Sequence, residues 1–166
     1  SFLVCALARI PTPPGDFEAL ERVQGWEMHP QAVEHARERI ADLLSARGWS
    51  EADASRGAEL VAQEGDFLTS DPRGTFRFVA GNPPYLRWGH VPPLLKETWS
   101  PVLPAFARGD LLHAFLDRSV AIMPEDGVAV QRHDDRSAPH DREEGRHQPS
   151  GAPRRGHLVL SAQDAP

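Results

Sequence analysis

Apolar residues recur with structural periods along this sequence as far as Val130 and then almost vanish, and that break limits what the chain can fold into. Between Gln131 and His157 the only members of the apolar set are Ala138 and Ala152, among Arg, His, Asp, Pro and Gly. Such a composition buries too little surface to offset the entropy of ordering a chain. The sequence therefore divides into a foldable part, residues 1–130, and a tail, residues 131–166, that is disordered or translated from a shifted frame. His133, His140, His147 and His157 are spread through the Pro/Gly-rich tail and do not converge as metal ligands, so no metal site is expected.

Within the foldable part, strand-like and helix-like periods alternate, which predicts an α/β layered fold. Ser1–Ile10 reads as helix, closed by Pro11-Thr12-Pro13-Pro14-Gly15. Val23–Glu27 reads as a strand ending on an acid. From Pro30, which suits a first helical turn, Val33, Ala36, Ile40, Leu43 and Leu44 keep one face until Gly48 stops it. Glu59–Gln63 is a second strand, running into Gly65-Asp66-Phe67-Leu68. Phe76–Ala80 is a third, running into Gly81-Asn82-Pro83-Pro84-Tyr85. Asp110 caps a further helix with Leu111, Leu112, Phe115, Leu116 and Val120 as its apolar face, and Val128–Val130 is a last strand.

Charge and cysteine content narrow the function classes. Lys and Arg total 18 against 24 Asp and Glu, a net charge of -6, so a polyanion would have to be held locally. The single cysteine, Cys5, excludes an internal disulfide framework and paired thiolate ligands, and fits a reducing cytoplasm. The longest apolar run, beginning at Phe2, falls far short of the ~20 residues of a membrane span and has no signal-peptide pattern. A soluble, cytoplasmic protein without membrane partners is the expectation.

In open α/β sheets, ligands sit outside the carboxyl ends of the strands, where three of these strands deliver polar groups. Glu27 can accept hydrogen bonds from two ribose hydroxyls or be a solvated acid. Asp66 offers an acceptor for an exocyclic amine, with Phe67 as a ring that can lie against a purine, although Gly-Asp is also a common turn. Asn-Pro-Pro-Tyr is more specific. Pro83 and Pro84 fix their own φ and restrict the residues before them, so Asn82 and Tyr85 sit on a stiff loop. The Asn82 amide oxygen and the Pro83 carbonyl are two acceptors able to take both N–H bonds of a planar amine, while Tyr85 supplies a stacking face. Such an amine is a poor nucleophile because its lone pair is delocalised. Two acceptors favour the more pyramidal nitrogen that develops during attack on a methyl donor.

Together, Glu27, Gly65-Asp66-Phe67-Leu68, Gly81-Asn82-Pro83-Pro84-Tyr85-Leu86-Arg87 and Asp110-Leu111-Leu112 with Phe115 resemble the class I S-adenosylmethionine-dependent methyltransferases, most closely the adenine-N6 DNA methyltransferases of restriction-modification and related systems. The resemblance spans about Ser1 to Val130. It implies a Rossmann-like sheet, with Glu27 on the cofactor ribose, Asp66 and Phe67 on the cofactor adenine, and Asn82, Pro83, Pro84 and Tyr85 as the catalytic loop around a flipped base. Arg87 is then either a phosphate contact or a solvated loop residue. S-adenosylmethionine is the implied cofactor and DNA the implied partner of the complete protein, with restriction-modification or phage-defence subunits as candidate partners.

The family's cofactor loop, Asp-x-x-x-Gly-x-Gly, precedes a Ser-Phe-Leu sequence, and this chain opens with Ser1-Phe2-Leu3. The expected sheet is accordingly partial, without its first strand, which in the family is central between Val23–Glu27 and Phe76–Ala80, and without the C-terminal strands. The 166 residues alone are expected to fold poorly and to be inactive. Two other readings remain: a non-catalytic remnant or binding module, and an Asn-Pro-Pro-Tyr methyltransferase acting on a protein glutamine or an RNA amine. The Leu86-Arg87-Trp88 continuation and the Pro-rich stretch Val91–Arg108 favour DNA adenine. Trp49 and Trp99 read as packing residues.

Overall fold

Proline and small residues punctuate the chain much as its periods suggest. The computed structural model describes residues 2–84, 86–131 and 159–162, with Gln131 and residues 159–162 described by their backbone alone. Helix α1 (Phe2–Leu7) buries Leu3 and Leu7 and is shorter than the expected Ser1–Ile10. Asp16 caps α2 (Phe17–Glu21), a helix the sequence patterns did not suggest, by accepting from Ala19 N at 2.9 Å. Strand β1 (Val23–Glu27) has the expected bounds, and all five of its residues are buried. Helix α3 (Pro30–Ala46) starts with proline in its first turn and buries Val33, Ala36, Ile40 and Leu44.

The second strand is a correction. Glu59–Val61 belong to α4 (Glu51–Val61), capped by Ser50 accepting from Asp53 N at 3.1 Å, and β2 occupies only Ala62–Glu64. Helix α4 packs through Ala54, Gly57, Ala58 and Val61, a stripe at helical spacing made mostly of small residues. Gly57 is required there by close approach, since a Cβ on it would stand 2.6 Å from Leu20 Cδ1 and 2.9 Å from Leu44 Cδ1.

Strand β3 (Phe78–Gly81) starts two residues later than expected. Phe76 lies before it, fully buried, its N–H donating to Ile122 O at 2.8 Å. The Pro-rich stretch contains α5 (Pro93–Trp99) between two 3-10 turns, Trp88–His90 and Ala105–Arg108. Helix α6 (Leu111–Ala121) is capped by Asp110, whose Oδ1 accepts from Leu112 N at 2.9 Å. Its inward face is also a correction. Leu111, Ala114, Phe115 and Ser119 are buried, whereas Leu116 and Val120 are exposed, because the stripe facing the sheet is centred on 111, 115 and 119. Strands β4 (Val128–Gln131) and β5 (Val159–Ala162) complete the described elements.

The five strands form one mixed sheet in the order β2-β1-β5-β3-β4. β1 runs parallel to β2 and β3 parallel to β4. β5 lies between the two pairs and is antiparallel to both neighbours, Leu160 pairing with Gly25 on one side and Ala80 on the other. All four other strands therefore point the same way. The reading of residues 131–166 as a disordered or frame-shifted tail made no provision for β5, which takes the position between β1 and β3 where the sequence analysis expected no strand from this chain. Residues 132–158 and 163–166, with the four tail histidines, lie outside the described residues, as do Ser1 and Tyr85.

Side chains three apart on a strand point to opposite faces. Val23 packs with Leu3, Leu7, Leu20, Ile40, Leu44 and Val61 from α1–α4 and with Trp49 between α3 and α4, while Trp26 packs with Phe67, Phe76, Val79, Trp99, Leu111 and Phe115 on the α5–α6 side. The sheet is thus covered by helices on two faces. Among the described residues, the cover on the α1–α4 face stops before the β3–β4 edge, where Phe78 and its register partner Val128 are exposed together with Val130.

Candidate functional site

The parallel strands β1, β2 and β3 end at one edge of the sheet, and each runs directly into a polar segment. Glu27 closes β1, opposite Glu64 at the end of β2. Gly65 follows with φ +157°, a conformation L side chains rarely adopt, and its N–H donates to Glu27 O at 3.0 Å. The backbone around Glu27 is therefore tied to the turn that presents Asp66. Asn82-Pro83-Pro84 leaves the end of β3, on the other side of β5.

Glu27 is buried, 6% exposed, and its Oε1 accepts from His29 N at 2.9 Å. His29 caps α3 without a side-chain hydrogen bond, so the Glu27 carboxylate supplies an acceptor at a helix start that would otherwise lack one. A buried carboxylate is tolerable only when it is hydrogen-bonded, and the helix N-terminus is a favourable place for its charge.

Asp66 is half-buried and opens a turn in which its carbonyl accepts from Thr69 N at 3.1 Å and Ser70 N at 2.8 Å. Its carboxylate is held at both oxygens. Oδ1 accepts from Leu68 N at 3.0 Å, and Oδ2 accepts from the indole Nε1–H of Trp99. Trp99, the last residue of α5, is 3% exposed. The sequence reading of Trp99 as a packing residue captures its burial and misses its donor. A buried indole N–H generally finds an acceptor, which is the one signal available in advance; the acceptor lies 33 residues away in the chain.

Phe67 points into the core. It is 3% exposed, stacked on Phe115 with ring centroids 5.9 Å apart and tilted against Trp26 at 6.0 Å. Its ring therefore anchors the Asp66 turn from beneath, a different placement from a free stacking face. Beyond β3, Asn82 is half-buried and hydrogen-bonded or otherwise engaged, Pro83 is buried and Pro84 is half-buried, its carbonyl accepting from Leu86 N at 2.9 Å. Arg87 is exposed, and its backbone forms an isolated antiparallel bridge with Asp110. Leu111 N adds a bond to Leu86 O at 3.3 Å, so the segment after the prolines is sewn to the start of α6.

The structure therefore brings Glu27 and Asp66 together on adjacent strand ends, and sets Asn82 at the same edge two strand positions from Glu27. A carboxylate has about four acceptor positions, so Glu27 and Asp66 each keep lone pairs beyond those used internally. The edge is rich in acceptors and fits a ligand that brings hydroxyl and amine donors. Among the described residues, no group of three or more His, Cys, Asp or Glu is placed to hold a metal ion, and no helix is long and apolar enough to cross a membrane.

Over 108 residues, 64% of this chain, the sequence is 32% identical to the type II methyltransferase M.PaeR7I of Pseudomonas aeruginosa. The chain resembles a segment of type II methyltransferases. Over 106 residues, 63% of the chain, it is 28% identical to a second one, M.XhoI of Xanthomonas vasicola. Each alignment takes in 19% of the relative, so the chain spans about a fifth of the length of the curated relatives it matches. No family model and no solved structure matches the chain.

Proposed function

We propose that this chain carries the cofactor- and base-binding edge of an S-adenosylmethionine-dependent DNA methyltransferase that acts on the N6 amine of adenine, within a polypeptide longer than these residues. The observation that carries the reading is the placement of Glu27, Asp66 and Asn82 at the carboxyl ends of three strands that point the same way, in a sequence similar to two type II methyltransferases. On this reading the sheet is a Rossmann-like methyltransferase sheet, and residues 1–130 form the partial catalytic domain, completed by β5 in the central position.

Glu27 accepts from the cofactor ribose and Asp66 from the cofactor adenine amine, the acceptor-rich edge fitting both. Phe67 supports that subsite from the core side. S-adenosylmethionine, when bound, supplies an electrophilic methyl group. The chain's contribution to transfer is the Asn82 amide oxygen and the Pro83 carbonyl, which accept the two N–H bonds of the target amine and favour its pyramidal form. Pro84 holds the loop stiff, Tyr85 stacks on the base, and Arg87, exposed beside the loop, contacts a phosphate. A base must leave the duplex to reach such a loop. DNA is the partner in the complete protein, with restriction-modification subunits beside it.

The test is paired. Calorimetry of the longer polypeptide with S-adenosylmethionine is expected to give binding that Glu27→Ala and Asp66→Ala each abolish. In the longer polypeptide, Asn82→Ala is expected to lower methyl transfer to adenine in DNA by roughly 10²–10³-fold while leaving cofactor affinity within about two-fold. Equal loss of affinity and transfer would remove the assigned roles. Cofactor binding with transfer to a protein glutamine or an RNA amine instead of DNA would keep the loop chemistry and change the substrate, and absence of cofactor binding would make the chain a non-catalytic module.

A further inference from the structure

We infer that Trp99 is a positioning residue of the adenine subsite, its indole N–H fixing the Asp66 carboxylate in the orientation that accepts the exocyclic amine of the cofactor; this rests on the reading of Asp66 given above. Asp66 sits on a turn, where a short side chain has several rotamers open to it. Leu68 N holds only Oδ1, at 3.0 Å, a local bond within the turn. The bond from Trp99 to Oδ2 comes from a separate element, α5, and completes a two-point restraint on the carboxylate plane. Each oxygen still has a lone pair for a ligand donor.

The element bearing Trp99 is itself anchored. Trp99 packs in one cluster with Phe67, Leu68, Leu103 and Ala107, so the indole cannot swing away without opening the core. Lys96 Nζ on the same helix donates to Gly89 O at 3.1 Å, and Val91 is buried in that cluster. The helix that orients Asp66 is thereby joined to the segment that follows Asn82-Pro83-Pro84. A packing role alone would be served by any large apolar side chain; the aimed N–H is what distinguishes tryptophan here.

The experiment compares two probes on the longer polypeptide and its Trp99→Phe variant. The probes are S-adenosylhomocysteine and S-inosylhomocysteine, in which an oxygen replaces the exocyclic amine. Trp99→Phe keeps a ring and removes the donor. It is expected to weaken S-adenosylhomocysteine about ten-fold and to leave S-inosylhomocysteine unchanged, so that discrimination between them collapses. Equal weakening of both probes means a merely structural role and overturns the inference. A second measurement leaves Trp99 in place: the indole N–H resonance of Trp99 is expected to move upfield in Asp66→Asn, independently of any ligand. No movement overturns the inference even where the cofactor binds. A wild-type chain that binds neither probe, with that resonance still responding to Asp66→Asn, overturns the assignment of Asp66 to adenine, and the inference with it.

Discussion

Arg87 and Asp110 pair through their backbones as an isolated antiparallel bridge, 23 residues apart in sequence, and thereby fasten the exit of the Asn82-Pro83-Pro84 loop to the cap of α6. Asp110 thus has two jobs. Its side chain caps the helix through Leu112 N, and its main chain holds the loop. Asp110→Ala removes the first and leaves the second. The expected cost is about 1 kcal/mol, a fall of roughly 2–4 °C in melting temperature for a chain of this size. Asp110→Asn keeps the acceptor and is expected to melt within about 1 °C of the parent. Identical melts for parent, Ala and Asn variants would show that the cap contributes nothing.

Phe67 gives a sharper contrast between a supporting and a contacting residue. Stacked on Phe115 and tilted on Trp26, it joins the Asp66 turn to the α5–α6 side of the core. Truncation to alanine leaves a ring-sized cavity, so Phe67→Ala is expected to cost about 3–5 kcal/mol in urea unfolding, while Phe67→Leu costs about half of that. A Phe67→Ala chain with an unchanged urea midpoint and no cofactor affinity would reverse the assignment, making the ring a ligand contact.

Which elements were legible in the sequence follows from how strong their apolar signals are. α3 was legible because Pro30 marks its start and Val33, Ala36, Ile40 and Leu44 repeat down one face. β1 was legible because Val23 and Trp26 bracket a short segment that ends on Glu27 just before the Pro30 helix start. α4 was hidden. Its inward stripe is Ala54, Gly57 and Ala58, which carry almost no hydrophobic signal, so Leu60 and Val61 were drawn into a strand that begins only at Ala62. On α6 the apolar residues outnumber the buried positions, and periodicity alone could not tell Leu116 and Val120 from the inward set. The site acids were legible as strand-end residues. The Trp99 bond was not, since it is made across 33 residues by tertiary packing that no local pattern encodes.

Gly57 converts the hidden helix into a measurable claim. A Cβ at this position would press on Leu20 Cδ1 at 2.6 Å and Leu44 Cδ1 at 2.9 Å, and both leucines are fully buried. Helix propensity favours replacing glycine in mid-helix by up to ~1 kcal/mol, so the two effects oppose each other. For valine, β-branching removes most of that gain and the added volume meets a packed wall. Gly57→Val is expected to destabilise the chain by about 1–3 kcal/mol in denaturant unfolding. A variant as stable as the parent would mean that α4 does not lie against α2 and α3 as closely as its small residues allow.

β5 is the element on which sheet continuity depends. β1 and β3 are not neighbours, and among the described residues the two parallel pairs are joined in the sheet through Val159–Ala162. Ser161 stands between Gln24 on one side and Val79 on the other, so its main chain lies in the middle of the ladder. Proline there has no N–H to donate and cannot be placed in a central strand without breaking the pairing. Ser161→Pro removes a ladder donor and is expected to cost about 1–3 kcal/mol for the acceptor left unpaired, a sizeable part of the ~5–15 kcal/mol that holds a domain together. Hydrogen exchange reads the effect where it should appear: the amides of Val23–Glu27 and Phe78–Gly81 lose protection, while those of α3 and α4, which pack chiefly on each other and on α1 and α2, lose less. Unchanged protection in both strands would mean that β1 and β3 hold together without β5 between them.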